Sequence, residues 1–202
     1  MWPVSLWARR YQIHIVALIA VMEVLAWKVL ESPVSVPGRD NDVEWMLLPI
    51  VPALVAMYAP TVLHTSYEPS EIVSALPVQM RRQHASATIL AMVVAAPFIA
   101  LGNSESALIG VRNGLLLTGL SFLATLCLAR QAAWVPAFVF PVACWLLGTP
   151  TPGNSPASWA LLIRPWADRW IVVLAALTCG AAVVTYIARE QPFRSIASND
   201  SL

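Results

Sequence analysis

Two ionisable residues, Glu23 and Arg112, lie inside long apolar runs of the sequence. A charged side chain near the middle of a membrane helix costs on the order of 2.5 to 3.5 kcal/mol by insertion scales, so such residues mark functional contacts. At 1.5 Å per residue, both would lie roughly 10 Å below the outer surface of a membrane. Matching depth and opposite charge predict that Glu23 and Arg112 form an ion pair or line one polar cavity, with a second role in binding a polar group of a substrate. The alternative is that Arg112 extends outward toward Glu105 while Glu23 faces the interior alone or meets Lys28.

A second group of charged residues lies in the stretch SYEPSEIVSALPVQMRRQ, residues 66–83. Ser70 can cap a helix whose first turn holds Glu71, and the arginines at the other end suit the helix dipole. Apolar residues recur at i, i+4 and i+8, at Ile72, Leu76 and Met80. Pro77 ends this helix after residue 76 or kinks it there. The pattern predicts a short amphipathic helix at the membrane surface, which either contacts a soluble partner or only anchors in the headgroups.

Motifs of soluble enzymes are missing from the sequence. There is no G-x-x-x-x-G-K-[ST] to bind ATP phosphates and no G-x-S-x-G to present a nucleophilic serine. The cysteines lack the spacing of a metal site or redox motif and are interpreted as small packing residues: Cys127, Cys144 and Cys179. The histidines match no metal-ligand pattern, so no metal site is predicted: His14, His64 and His84. If ATP drives this protein, another chain hydrolyses it.

The composition is that of a membrane protein. Charged residues make up 11% and apolar residues 58% of the 202 residues, against roughly 25% and about 45 to 50% in soluble domains. Apolar runs long enough to cross a bilayer, about 20 residues, recur along the chain. They predict six spanning helices near 12–31, 45–65, 86–102, 106–129, 132–149 and 169–188. Because backbone groups in lipid have to be satisfied internally, we expect an all-α, multi-pass fold in one transmembrane domain, 1–202.

Most arginines fall on one side of these predicted helices. Seven lie on one side, Arg9, Arg10, Arg81, Arg82, Arg130, Arg189 and Arg194, and three on the other, Arg39, Arg164 and Arg169. Positive charge is retained on the cytoplasmic side, so both termini are predicted to face the cytoplasm. The N-terminal residues 1–11 are expected to form an interfacial helix, and the C-terminal residues 189–202 a cytoplasmic tail. The expected location is the plasma membrane of a bacterial cell.

These features together resemble the permease subunit of an ABC transporter of the type-2 exporter class, of the small drug and peptide-antibiotic exporter kind. The resemblance covers essentially the whole chain: six crossings, the basic segment WPVSLWARRYQ before the first, and the patterns EPSEIVSALPVQMRRQ and ALIGVRNGLLLTGL. It implies export of an amphipathic or hydrophobic compound, such as a drug, a peptide antibiotic or a lipid-like molecule. It also implies that ATP and Mg²⁺ bind a separate cytoplasmic ATP-binding subunit, with no enzymatic activity or cofactor on this chain and no nucleic-acid partner. Permeases of this kind work in pairs, so a second permease, either the same chain or a homologue, is expected.

The resemblance assigns a role to the charged stretch between the second and third spans. In that family, the helix corresponding to residues 69–82, within the cytoplasmic loop 66–85, is the coupling helix, which docks into a groove of the ATPase. Its polar contacts would come from Glu68, Glu71, Arg81 and Arg82. Its apolar residues would lie in the groove or on the membrane surface: Ile72, Leu76 and Met80.

The family also implies a helical segment on the external side, between spans five and six. Residues 150–168, PTPGNSPASWALLIRPWAD, suit it, because Ser155 and Pro156 form a cap and first-turn pair and Pro165 ends the apolar run. An ordinary external loop is the alternative. The tryptophans around it would lie at the lipid interface: Trp159, Trp166 and Trp170.

Small residues recur along the fourth span at i, i+4 and i+8: Gly110, Gly114 and Thr118. Such a stripe lets another helix approach closely. The sequence leaves open whether that helix belongs to the same chain or to a second copy.

Two other functions remain as alternatives. VPALV at 51–55 and VPAFV at 135–139 would cross in opposite directions, as the inverted repeat of a secondary transporter or channel requires. A membrane-embedded enzyme would need a cluster of ionisable residues at one depth, for which only the three histidines are candidates.

Overall fold

A computed structural model describes residues 13–30, 51–63, 78–102, 104–128, 132–148, 157–164 and 169–188. Throughout this part of the chain the secondary structure is helical, without strands, so the predicted all-α class is confirmed. We number the helices in chain order: α1 (Ile13–Leu30), α2 (Ala53–Leu63), α3 (Val78–Leu101), α4 (Glu105–Cys127), α5 (Val135–Gly148) and α6 (Arg169–Ala188). A single 3₁₀ turn, Leu161–Ile163, lies between α5 and α6. The predicted interfacial helix 1–11 and tail 189–202 lie outside the described residues.

Two helix starts differ from those predicted, and prolines explain both. Helix α2 begins at Ala53 rather than near residue 45 within the described part, because Val51 and Pro52 form a turn in which Leu54 N–H donates to the Val51 carbonyl (3.1 Å). Helix α3 begins at Val78 rather than near residue 86, directly after Pro77, so that the residues before the apolar run continue the same helix. A proline restricts the residue before it, and the chain enters the helix after it.

The start of α4 carries a side-chain cap. Ser104 has extended backbone angles, and its Oγ accepts a hydrogen bond from Ala107 N–H (3.2 Å). Glu105 follows in the first turn, where a negative charge suits the helix dipole. The cap fixes the point at which the longest apolar helix of the second half of the chain begins.

Helix α4 is the centre of the bundle. It packs against α2, α3, α5 and α6. One apolar core lies among α1, α2, α3, α4 and α6 and contains Val55, Ile89, Phe122 and Tyr186, with the Phe122 and Tyr186 rings 5.4 Å apart. A second core joins α2, α4, α5, α6 and the 3₁₀ turn, with Leu117, Cys144 and Leu162 at its middle.

Glycines let α4 approach its neighbours closely. A Cβ placed on Gly119 would lie 2.9 Å from the Cys179 backbone of α6, and one on Gly114 would lie 2.7 Å from the Val93 side chain of α3. A Cβ on Gly110 would lie 3.0 Å from both Pro97 and Trp27. A side chain at Gly119 would force α4 and α6 apart, whereas one at Gly110 or Gly114 would require neighbouring side chains to shift.

Two of the described helices, Glu105–Cys127 and Arg169–Ala188, are long and apolar enough to cross a membrane. Shorter apolar stretches occupy Ala85–Leu101 and Val135–Cys144. By length and composition, these helices support association of the chain with a membrane.

The contact between α4 and α6 generates a stability prediction. Gly119→Ala should destabilise the protein by roughly 1 to 3 kcal/mol, because the new methyl group meets α6 backbone rather than a movable side chain. Gly180→Ala on α6 is the matched control, since a Cβ there has nothing within 4 Å and alanine favours a helix by roughly 1 kcal/mol over glycine. Thermal unfolding in detergent should show a lower midpoint for the first variant and an equal or higher one for the second. Equal midpoints would mean that the two helices do not meet at Gly119.

Candidate functional site

Buried polar side chains concentrate on α4. In the described part of the chain, seven polar or charged side chains are buried: Glu23, Ser86, Arg112, Asn113, Thr118, Ser121 and Thr125. Five of them belong to α4. Each buried polar group has to find a partner or carry a desolvation cost. The side chains with a role beyond packing are therefore expected mainly on this helix.

Arg112 and Asn113 hold the segment that follows α5. The Arg112 guanidinium donates from Nη2 to the carbonyl oxygens of Leu162 (3.2 Å) and Arg164 (3.0 Å), and from Nε to Asn113 Oδ1 (3.1 Å). Asn113 Nδ2 donates to the same Leu162 carbonyl (2.9 Å). We call these four residues the carbonyl anchor. It satisfies two carbonyl groups that a 3₁₀ turn leaves without helical partners.

The anchored segment, 157–164, is folded back onto the bundle. Ala157 N–H donates to the Gly148 carbonyl at the end of α5 (3.2 Å), and Ile163 N–H donates to Ala160 (3.2 Å). Ala160 and Leu162 are buried, whereas Trp159 is 45% exposed. The predicted helical segment 150–168 is thus a single 3₁₀ turn within the described residues, and the location of the exposed Trp159 at a lipid interface stays a prediction.

The carbonyl anchor and the glycines Gly110 and Gly114 lie on opposite faces of α4. Successive helical residues are rotated by about 100°, so Arg112 lies about 200° from Gly110 and about 160° from Gly114 around the helix axis. Gly110 and Gly114 face α1, α2 and α3, through Trp27, Pro52 and Pro97. Arg112 therefore points away from α1.

Glu23 is buried on α1, with 1% of its surface exposed. Neither its Oε2 atom nor the indole Nε1 of Trp27 makes a hydrogen bond of full geometry, but the two side chains lie next to each other, one turn apart on the same face of α1. Both Glu23 and Arg112 lie buried inside helices, but the hydrogen bonds described for Arg112 go to Asn113, Leu162 and Arg164. The ion pair between Glu23 and Arg112 therefore stays a prediction, and the opposite orientation of Arg112 counts against it.

The predicted packing stripe lies against helices of the same chain. Gly110 contacts Pro97 and Trp27, Gly114 contacts Val93, and Thr118 is fully buried. This face of α4 is consequently covered by α1 to α3 and does not lie open to a second copy.

The predicted coupling residues fall largely outside the described residues. Glu68, Glu71, Ile72 and Leu76 lie there, and no contact of theirs is known. Met80, Arg81 and Arg82 belong to the first turns of α3. Their helix continues without a break into the apolar part of α3.

Several residues of the site were not among those predicted from the sequence. Asn113 was visible as a polar residue next to Arg112 in an apolar run, and it could have been included on that ground. The Leu162 and Arg164 acceptors are backbone carbonyls, which leave no signal in a sequence. Ser86 and Ser121 are common small residues in membrane helices and carry no distinguishing pattern.

An apolar cleft of about 470 Å³ lies between α4, α5 and α6. Its walls include Leu116, Leu120, Phe140 and Leu174, and Thr178 brings the only hydroxyl group among its described lining residues. The volume falls within the range of about 300 to 1,000 Å³ that is typical of small-molecule sites. An apolar compound or an acyl chain suits such walls better than a polar one.

The cysteines differ in exposure. Cys144 and Cys179 are buried in the packing of α5 and α6, whereas Cys127 is exposed at the end of α4. No group of three His, Cys, Asp or Glu residues among the described residues is placed to hold a metal ion.

Comparisons of the chain with protein-family models, with curated proteins and with solved structures find no match.

The carbonyl anchor generates a second prediction. Arg112→Met should leave the Arg164 carbonyl without this donor and reduce stability by roughly 1.5 to 3 kcal/mol, the usual worth of hydrogen bonds to a charged group. Amide hydrogen exchange over residues 160–163, followed by mass spectrometry, should become faster. Asn113→Leu should have a smaller effect, because the Leu162 carbonyl keeps its bond from Arg112. Arg169→Met, on an exposed residue at the start of α6, is the control and should change neither quantity. Unchanged exchange in Arg112→Met would contradict the anchor.

Proposed function

We propose that the chain is a multi-pass membrane protein in which all six helices contribute to the crossings. The observation that supports this is the exterior of the bundle: large apolar side chains are exposed on several helices, while Glu23 and Arg112 are buried. Leu18 on α1 is 61% exposed, Leu147 on α5 is 74% exposed and Leu177 on α6 is 66% exposed. A protein in water would favour the opposite arrangement, whereas lipid solvates an apolar exterior.

We further propose that this protein is the permease subunit of an ATP-driven ABC exporter of the type-2 class, paired with a second permease and with a cytoplasmic ATP-binding subunit. The length of α3 supports the proposal. Its 24 residues extend about 36 Å, more than the roughly 30 Å of a bilayer core. Its apolar part begins at Ala85, so the turns that carry Arg81 and Arg82 extend beyond the apolar part, where a soluble partner can bind.

The cleft between α4, α5 and α6 favours an amphipathic or hydrophobic cargo. Its described walls are almost wholly apolar, and Leu174 and Val139, which line it, are also partly exposed on the outside of the bundle. A compound dissolved in the bilayer could therefore reach the cleft from the side. Transport would be outward, with ATP and Mg²⁺ bound by the partner chain.

The alternative function, an inverted-repeat secondary transporter, rests on the similarity of VPALV at 51–55 to VPAFV at 135–139. This similarity is weak support. Pro52 lies just before the start of α2, and Pro136 lies in the first turn of α5. Proline is common at the first positions of helices, so both similarities follow from helix initiation alone.

The membrane proposal generates a prediction about the two ends of α4. A membrane-impermeant maleimide should label Cys127, which is exposed, in lysed cells but not in intact ones. In a Cys127→Ser background, Glu105→Cys at the other, exposed end should be labelled in intact cells. The buried Cys144 and Cys179 should stay unlabelled in both cases. Labelling of both ends from the same side would show that α4 does not cross the membrane.

The permease proposal generates a prediction about coupling. Replacing Glu71 and Leu76 together with alanine should abolish co-purification of the ATP-binding chain encoded beside this one, or uncouple its ATP hydrolysis from transport in vesicles. A matched double variant, Glu105→Ala with Leu147→Ala, removes the same residue types from exposed positions and should retain both activities.

The experiment distinguishes failure of the permease proposal from failure of the coupling role of residues 69–82. If the unaltered chain neither binds that ATPase nor changes its activity, the permease proposal is wrong. If it binds and the Glu71 and Leu76 variant transports normally, the permease proposal stands and the coupling role of residues 69–82 is wrong.

A further inference from the structure

Five buried polar groups face the core between α1, α3 and α4 without a hydrogen-bond partner among the described residues. They are Glu23 Oε2, Trp27 Nε1, Ser86 Oγ, Thr118 Oγ1 and Ser121 Oγ. Each of these residues is fully or almost fully buried. We call this set the polar file.

The hydroxyl groups of the polar file differ in their hydrogen bonding from the threonine hydroxyl groups elsewhere in the helices. Thr125 Oγ1 donates to the Phe122 carbonyl (2.6 Å), and Thr185 Oγ1 donates to the Ala181 carbonyl (2.7 Å). Such bonds to the preceding turn are the ordinary way for a helical threonine to satisfy its hydroxyl group. Ser86, Thr118 and Ser121 make no such bond, so their hydroxyl groups stay available to a ligand in the core.

Helix geometry places all five groups on facing surfaces. On α4, Thr118 and Ser121 lie about 80° and 20° around the axis from Gly110, on the face that meets α1 to α3. On α3, Ser86 lies within about 20° of Val93 and of Pro97, whose side chains contact the α4 glycines.

The register between the helices orders the groups by depth. Pro97 meets Gly110 and Val93 meets Gly114, so α3 and α4 are antiparallel and Ser86 is level with Ser121. Trp27 is level with Gly110, and Ile19 packs in the core that contains Ile89 and Phe122. Glu23 lies between these two levels of α1, close to the level of Gly114.

Along the axis of α4, the backbone levels of Glu23, Thr118 and the two serines follow one another at steps of about 4.5 to 6 Å. Trp27 lies directly beside Glu23 at the far end. Two hydrogen bonds of about 2.8 Å each span about 5.6 Å. Buried water usually satisfies such otherwise unpaired polar groups.

We propose that the polar file holds a chain of water molecules that leads to Glu23, and that Glu23 is a proton-binding site inside the bundle. Water at the serine end donates a proton to the next water and regains one from the aqueous side, and the last water protonates the Glu23 carboxylate. Gln83, one turn before Ser86, is exposed, so this end of the file lies close to the surface of the bundle.

Among the described residues, the surroundings of Glu23 favour the protonated form over an ion pair. Helices α2 and α3 pack against α1, and α4 approaches it where Gly110 lies beside Trp27. The titratable group that α2 contributes is Tyr58; α3 has none between residues 85 and 101, and Arg112 of α4 points to the opposite side. An ionised carboxylate without a cation costs several kcal/mol in such an environment. This site goes beyond the proposed transport function and does not depend on an ATPase.

The test uses the purified full chain in lipid nanodiscs and infrared spectroscopy. At neutral pH, the carbonyl stretching band of a protonated carboxyl group should be present and should be lost in Glu23→Gln. It should persist in Glu105→Gln, which alters an exposed glutamate. In D₂O the band should shift promptly, since water reaches the carboxyl group. Thr118→Val combined with Ser121→Ala should retain the band and slow its exchange, whereas Thr125→Val, whose hydroxyl group is already bonded, should not slow it.

Three results would overturn the proposal: no band lost in Glu23→Gln, a band that does not exchange in D₂O, or equal exchange in the Thr118 and Ser121 variant. If Glu23→Gln does not fold, the unaltered chain still provides a test. An apolar carbodiimide reacts with protonated carboxyl groups in apolar surroundings, so peptide mass spectrometry should locate its adduct at Glu23 and not at Glu105. Absence of the adduct at Glu23 would equally refute the site. A chain that does not bind the ATPase could still show a protonated Glu23 in the infrared experiment. Conversely, a chain that binds the ATPase could lack one.

Discussion

Helix α4 has to satisfy polar side chains inside a bundle whose exterior is apolar, and the arrangement of the other helices depends on how it does so. In lipid, a polar group cannot turn outward to water, so its partners have to come from neighbouring helices and turns. Arg112 and Asn113 find theirs in the carbonyls of Leu162 and Arg164, which brings segment 157–164 onto α4. Gly110 and Gly114 on the opposite face bring α1 and α3 close enough to enclose Glu23. One helix thus organises both halves of the bundle.

The sequence predicted the helices well and their ends less well. Four of the six, α1, α4, α5 and α6, begin and end within a few residues of the apolar runs that predicted them. Helix α3 begins earlier, because hydropathy detects where lipid begins, whereas the helix itself begins after Pro77 and includes the polar residues Gln79, Arg81 and Arg82. Apolar length and helix length are different quantities, and in α3 the difference is the part proposed to meet a partner.

The burial of Glu23 and Arg112 was predictable, but their partners were not. Position along a helix follows from residue number, so both depths could be predicted from the sequence. The direction of a side chain around the helix depends on which neighbours pack on which face, and this became visible only when Trp27 and Pro97 were found against Gly110. The acceptors of Arg112 are carbonyl oxygens, which every residue carries, so no residue type indicates them. Depth alone therefore does not identify the partner of a charged residue.

The two faces of α4 differ in what a movement of the bundle would cost. On the anchor face, a shift of segment 157–164 would break bonds from a charged guanidinium, each worth roughly 1.5 to 3 kcal/mol. On the glycine face, the contacts are van der Waals contacts between Gly110, Gly114 and the side chains of Pro97 and Val93, with no hydrogen bond to break among the described residues. Pro97 also removes one hydrogen bond from α3 at this level, which permits bending there. A conformational change that reaches the bundle through α3 would therefore meet less resistance between α3 and α4 than at the anchor, and the polar file lies at that weaker interface.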